Sequence, residues 1–121
     1  DSLLDQAIEV EGVKVLAVNA AVHDMDALRS LGDLLMDRLG SGVTLLGSPL
    51  DNKVGLVSFI SKDLVKKQGL HAGKLIREVA RIVDGGGGGK PEMAQAGGKN
   101  PARLEEALEM GMEILRQQLK Q

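Results

Sequence analysis

"DGGGGGKPEMAQAGGK", Asp84–Lys99, is the stretch on which the reading of this 121-residue chain turns. Glycine loses more backbone freedom on ordering than any other residue. Five in a row therefore imply close backbone approach, unusual dihedrals, or a segment that orders against a ligand. Successive N–H groups without side chains can form a concave nest for an anion, which Lys90 and Lys99 would reinforce. The competing reading is a connection that needs tight backbone packing. Two nucleotide signatures do not fit. In a P-loop the first glycine would stand where Asp84 stands, and Gly89-Lys90 would be followed by a magnesium-binding hydroxyl instead of Pro91. A dinucleotide fingerprint begun at Gly85 and Gly87 puts Lys90 where its last glycine belongs, and this segment follows a helical pattern, not a strand.

Upstream, "HAGKLIREVARIVDG" places Ile76, Val79, Ala80 and Val83 on one apolar helical face. Lys74, Arg77 and Arg81 then fall within about 60° of one another on a different face. Before it, "SKDLVKKQG" reads as a short helix capped by Ser61, stopped by Gly69 and carrying Lys66 and Lys67. Downstream, Glu92–Gly97 reads as a short edge strand and Gly97-Gly98 as a turn. Asn100 suits an N-cap and Pro101 the first helical position of a final helix that packs through Leu104, Leu108, Leu115 and Leu119, with Met112 beside them. Gly111 in that helix implies close packing or a tolerated cost of about 1 kcal/mol.

Nearer the N-terminus, the dense Val and Leu of Val13–Ala20 predict a strand buried on both faces and first in the sheet. Asp24 or Asp26 caps an amphipathic helix with Leu28, Leu31, Leu35 and Leu39 on one stripe and Gly40 at its end. Gly42–Ser48 and Lys53–Ser61 form a hairpin, and the helix before them acts as the crossover of a parallel pair. Ser2–Val10 reads as the last turns of a helix ended at Gly12. The expected fold is α/β: a small mixed β-sheet packed with helices, in the order β-α-β-β-α, a glycine-rich loop with a short strand, then α. Residues 1–12 are read as the remnant of a preceding helical segment or linker of a longer chain, and residues 13–121 as a single α/β domain.

Composition narrows the function classes. Hydrophobic residues make up 43% of the chain, Phe59 is its only aromatic and it has no cysteine, so aromatic base-stacking platforms, disulfides and thiolate chemistry are excluded. No run approaches the roughly 20 apolar residues of a membrane span, and a cytoplasmic location fits. The net charge of -2 conceals an asymmetry. Residues 1–52 carry three basic and nine acidic side chains, whereas residues 53–103 carry ten basic and four acidic. Such a local positive field suits a polyanion, and without aromatics it suits the phosphates and shape of a folded RNA. Lys66, Lys67, His71, Lys74, Arg77, Arg81, Lys90 and Lys99 are the candidate RNA-contacting residues, with the glycine-rich loop Gly85, Gly86, Gly87, Gly88 and Gly89. The competing reading of these charges is a solvated face. His23 reads as a local cap or surface residue, and neither imidazole belongs to a metal motif. No nucleophile, base and oxyanion stabiliser occur together, so the expectation is a noncatalytic chain without a metal site or cofactor.

The string GGGGG-K-P-E-M-A-Q-A-GG at Gly85–Gly98, with the ordered strand, helix, hairpin and helix before it, resembles the C-terminal globular, DHHA1-type domain of alanyl-tRNA synthetases over nearly all of residues 13–121. The resemblance implies a noncatalytic tRNA-binding accessory domain that contacts the tRNA elbow and aids aminoacylation and editing. It further implies tRNA(Ala) as partner, a homodimer formed through a preceding helical segment, and a parent alanine-tRNA ligase that uses ATP and Mg, with Zn a further candidate. Two alternatives stand beside it: an oligomerisation or protein-interaction module without tRNA contact, and the substrate-closing domain of a DHH-type phosphoesterase. Lys90-Pro91 departs from the histidine or arginine that many of those phosphoesterases carry there.

Overall fold

A computed structural model describes residues 2–120. After a 3-10 turn at Leu4–Gln6, the chain forms β1 (Ile8–Val10), β2 (Val13–Asn19), α1 (Met25–Leu39), β3 (Val43–Leu50) and β4 (Lys53–Ile60). It continues as α2 (Lys62–Gln68), α3 (Ala72–Ile82), β5 (Gly86–Gly89) and β6 (Met93–Gly98), then a 3-10 turn at Pro101–Arg103 and α4 (Leu104–Leu119). The strands form one sheet in the order β1-β2-β3-β4-β6-β5. β2 and β3 are parallel, as the α1 crossover requires, and every other neighbouring pair is antiparallel. The mixed α/β sheet expected from the pattern is therefore present.

Local chemistry sets the ends of the elements. The Asp24 carboxylate accepts the Ala27 N–H at 2.8 Å and caps α1, which Gly40 ends at a φ of 76°. Gly69, in the left-handed region, ends α2. Period-2 alternation along the strands then sorts side chains into two layers. On one face Leu28 and Leu35 of α1 pack on Leu16, Leu46 and Val57. On the other, Ile76 and Val79 of α3 with Leu108 and Leu115 of α4 pack on Val15, Leu45 and Leu56. Each such side chain contributes roughly 1.5–3 kcal/mol on burial. Gly111 belongs to this packing: a Cβ there would overlap Leu45 and lie 3.1 Å from Val79 Cγ2, so its absence lets α4 approach α3 and β3.

Three expectations change. Residues 8–10 are not the end of a helix; Ile8 pairs with Val15 and Val10 with Val13, so Val13–Asn19 is second in the sheet, not first. Glu11 and Gly12 take φ of 50° and 82°, consecutive positive values that turn the chain into a tight hairpin. Gly86–Gly89 is a strand, not a loop, and it is the edge; Met93–Gly98 lies inside the sheet between β4 and β5. Asn100 makes no side-chain cap, and its amide nitrogen instead lies 3.5 Å from the Asp84 carboxylate.

Thr44 on β3 is fully buried, and its Oγ1 is the one buried side-chain polar atom among the described residues with no hydrogen-bond partner. A buried hydroxyl left unpaired costs about 1–3 kcal/mol. Thr44→Val should therefore raise the midpoint of urea or thermal unfolding, by about 1 kcal/mol in stability; a lowered midpoint would show that the hydroxyl has a partner.

Candidate nucleic-acid interface

β5 is built from backbone alone, and its register assigns each glycine a direction. Gly86 pairs with Gly97, Gly87 with Ala96, Gly88 with Gln95 and Gly89 with Ala94. Lys90 N–H donates to Met93 O at 2.8 Å, and Ile60 N–H donates to Glu92 O at 2.9 Å. Hydrogen-bonded and non-bonded pairs alternate along an antiparallel ladder, so Gly86 and Gly88 bond to β6. Gly87 consequently directs N–H and C=O toward the open edge, whereas the Gly89 carbonyl lies against Gly73 of α3. Ala94 and Ala96 lie in the core beneath α3 and α4, whereas Met93 packs on the α1 side. Gly87 and Gly89 therefore face α3, and Gly86 and Gly88 face the α1 side.

The five glycines are thus not equivalent. A Cβ at Gly85 or Gly87 would overlap the Gly97 or Gln95 carbonyl, and one at Gly89 would lie 2.6 Å from Met93 O. At Gly86 nothing lies within 4 Å, and at Gly88 only Arg77 Nη2 approaches, at 3.5 Å. The odd-numbered glycines answer a packing demand that the even-numbered ones do not share. Gly73 continues it on α3, where a Cβ would lie 2.5 Å from Gly89 O.

That approach closes the start of α3. Ala72 N–H donates to Pro91 O at 2.8 Å and Gly73 N–H to Lys90 O at 3.1 Å. Lys74 N–H donates to His71 Nδ1 and Leu75 N–H to His71 O, both at 3.1 Å. The amides of Ala72, Gly73 and Lys74, which no intrahelical carbonyl could satisfy, all have protein acceptors, so the first turn of this helix keeps none of them for a phosphate. His71 is its cap.

The exposed stripe of α3 carries Lys74, Arg77 and Arg81, and Glu78 shares it. Arg81 Nη1 lies 3.3 Å from Glu78 Oε1; their side chains are 66% and 52% exposed, so the pair contributes little. Val79 faces Gly111 of α4, whereas Arg77 reaches Gly88, so the free cations stand on the β5 side of the helix. The neighbouring acidic helix is partly self-neutralised. A bidentate hydrogen bond from Arg103 holds the Glu106 carboxyl below the usual carboxylate range, and bonds from Gln117 and Arg116 do the same for Glu113.

The remaining predicted residues are dispersed. Lys66 and Lys67 are exposed on the last turn of α2. Lys90 sits at the tip of the β5–β6 hairpin and Lys99 at its open end beside Asp84, about 20 Å apart along β6. They do not enclose a nest, because the glycines between them are extended and paired. His23 is exposed in the bend before α1. No group of three or more His, Asp or Glu among the described residues is placed to hold a metal ion, and no helix among them is long and apolar enough to cross a membrane.

A feature that sequence reasoning missed lies on the α1 side of the glycine hairpin, a cleft of 680 Å³ between the start of α1, the β3–β4 turn and the open end of β6. Met25, Leu50, Lys53, Gln95 and Lys99 line it together with hairpin backbone. Arg29 Nη1 donates to Gln95 Oε1 at 2.9 Å and also pairs with Asp26. Its only sequence signal is glycine at three positions, Gly55, Gly97 and Gly86, that the pairing of β4, β6 and β5 brings into one row.

The family model of the DHHA1 domain matches residues 12–117, and the chain belongs to that family. Within it the likeness is to the alanyl-tRNA synthetase branch. The C-Ala domain of Aquifex aeolicus alanyl-tRNA synthetase superposes with a TM-score of 0.81 at 32% identity, covering 91% of this chain and 97% of that one. Alanine–tRNA ligases of Pelotomaculum thermopropionicum and Alkaliphilus oremlandii are 61% and 50% identical over 98% of this chain. The chain spans 13% of the length of each of those ligases. A DHH-domain member of the s1p family of ribosomal proteins, at 15% identity and a TM-score of 0.59, shares the fold.

The glycine assignment is testable by unfolding. Gly87→Ala should destabilise by about 3 kcal/mol or more, since backbone cannot give way as a side chain can, while Gly86→Ala should change stability by less than about 1 kcal/mol. Equal midpoints for the two variants would refute the alternation.

Proposed function

We propose that this chain is the noncatalytic tRNA-binding accessory domain of an alanyl-tRNA synthetase, and that it holds tRNA(Ala) at the elbow while aminoacylation and editing proceed elsewhere in the parent enzyme. The observation that carries the reading is the 61% identity to an alanine–tRNA ligase across 98% of this chain. In this reading the ATP and Mg of ligation, and any Zn, are used outside these residues. The parent is a cytoplasmic ligase, and dimerisation falls to a preceding helical segment.

The surface supplies a physical route to such binding. Lys74 and Arg77 project from a helix pinned to the sheet by Gly73 and the hairpin carbonyls, so little ordering entropy is lost when they meet phosphates. Arg77 adds a planar fork that can grip a phosphate bidentately. Beside it the open edge offers Gly87 N–H with no side chain to hold an RNA backbone away. The carboxylates of α4 repel the polyanion from the other side of α3, which favours approach over β5. Lys66, Lys67, Lys90 and Lys99 add longer-range attraction that salt screens. His71 and the odd-numbered glycines serve by holding the geometry.

Fluorescence titration of labelled tRNA(Ala) at low salt tests this. The chain should bind with a log–log salt slope that the triple variant Lys74→Glu, Arg77→Glu, Arg81→Glu lowers by about 2–3, with affinity falling at least about tenfold. Lys14→Glu on β2, remote from the patch, should leave affinity unchanged. A triple variant equal to the parent chain would refute the surface assignment. A stable dimer in sedimentation, without tRNA affinity, would replace the reading with that of an interaction module.

A further inference from the structure

We infer that the cleft on the α1 side of the glycine hairpin receives the flat face of an RNA nucleobase, with the flanking phosphates held by Lys53 and Lys99. The inference rests on the RNA-binding reading above and adds a second contact on the opposite face of the sheet from α3.

The geometry runs from the register of three strands. Gly55, Gly97 and Gly86 are successive cross-strand partners on β4, β6 and β5, all facing the α1 side. Over Gly55 the space is filled by Met25 and Leu50, whose Cδ1 lies 2.8 Å from where a Cβ would stand. Over Gly97 nothing is nearer than Val54 O at 3.7 Å, and over Gly86 nothing lies within 4 Å. With neighbouring strands about 4.8 Å apart, two strands of bare peptide planes form a shelf roughly 10 Å across, wide enough for a heterocycle lying flat. The glycines alone would make no site. The walls supply one: Leu50 and the Met25 thioether, a group that contacts aromatic rings favourably, stand on one side. Gln95 stands on another, its carboxamide oxygen engaged by Arg29 at 2.9 Å, so its NH₂ is the group left to donate to the edge of a base.

Charge specifies the ligand further. Lys53 and Lys99 are exposed at the rim, with Asp84 as the one carboxylate lining it among the described residues. An apolar, flat-floored cleft of 680 Å³ with one oriented amide donor and two rim ammonium groups matches a heterocycle that carries phosphate. Aromatic residues, the usual base platforms, are replaced here by peptide planes. Every base carries a π-face that can rest on a surface without regard to sequence, and the side-chain-free backbone at Gly86 and Gly97 leaves room for one to approach.

The test uses the intact chain, a tRNA(Ala) transcript and 5′-AMP. Gly86→Leu fills the cleft from a position where a Cβ meets no atom, so its unfolding midpoint should match that of the parent chain. Its tRNA affinity should fall at least about tenfold. Gln95→Glu, which keeps an acceptor for Arg29 but removes the donor, should weaken binding in the same direction. Millimolar 5′-AMP should shift the amide resonances of Gly86 and Gly97 weakly, and tRNA should do so at far lower concentration; equal affinities would assign the cleft to free nucleotides and overturn the RNA inference. A folded Gly86→Leu that binds tRNA like the parent chain would overturn the cleft and leave the α3 surface standing. Loss of all tRNA binding by the parent chain would overturn both.

Discussion

The close approach of a side-chain-free strand to both its neighbour and the helix above it is the constraint on which the rest of this structure depends. Gly85, Gly87 and Gly89 stand where any Cβ would overlap β6 backbone, and Gly73 brings α3 against the Gly89 carbonyl. The turn that follows then places the Lys90 and Pro91 carbonyls on the first amides of α3. Glycine loses much backbone freedom here, and the return is a helix whose start, tilt and exposed stripe are all set by hydrogen bonds to the hairpin.

Function follows from what that locking leaves exposed. Because the α3 amides are consumed internally, cations on the helix surface and the outward amides of β5 are what remain for an anion. The residues that look most chemical in the sequence are in part structural: His71 caps, and the glycines divide between a packing face and an open face. The two faces have different physical fates. One lies close against β6 and α3, and on the other Gly86 helps to floor a cleft that α1 borders at Met25, since α1 packs mainly over β3 and β4 and reaches β6 through Arg29 and Met93.

Charge distribution obeys the same geometry. The acidic residues of α1 and α4 lie on opposite layers of the sheet, and α3 sits between α4 and the open edge. Arg77 therefore points toward the glycine strand and away from the α4 carboxylates, of which Glu106 is already engaged by Arg103 in the turn leading into α4 and Glu113 by Arg116 on the helix itself. Glu78, in the middle of the basic stripe, is offset by Arg81. What remains is a localised positive margin on a chain whose net charge is -2.

Much of the fold was legible from the residues in order. Caps, stops and the 3.6 and 2 periods of α1, β3, β4, α3 and α4 are local signals written in side chains, and the DHHA1 resemblance lay in one contiguous string. The tertiary structure alone decided the rest, because pairing between strands is non-local and glycine carries no periodic side-chain signal. It made Gly86–Gly89 an edge strand and Met93–Gly98 an inner one. It added the three-residue β1 through a turn at Glu11-Gly12, and it set Lys90 and Lys99 at opposite ends of a hairpin. Only that pairing aligned Gly55, Gly97 and Gly86, and only α3's packing showed which glycines admit no side chain.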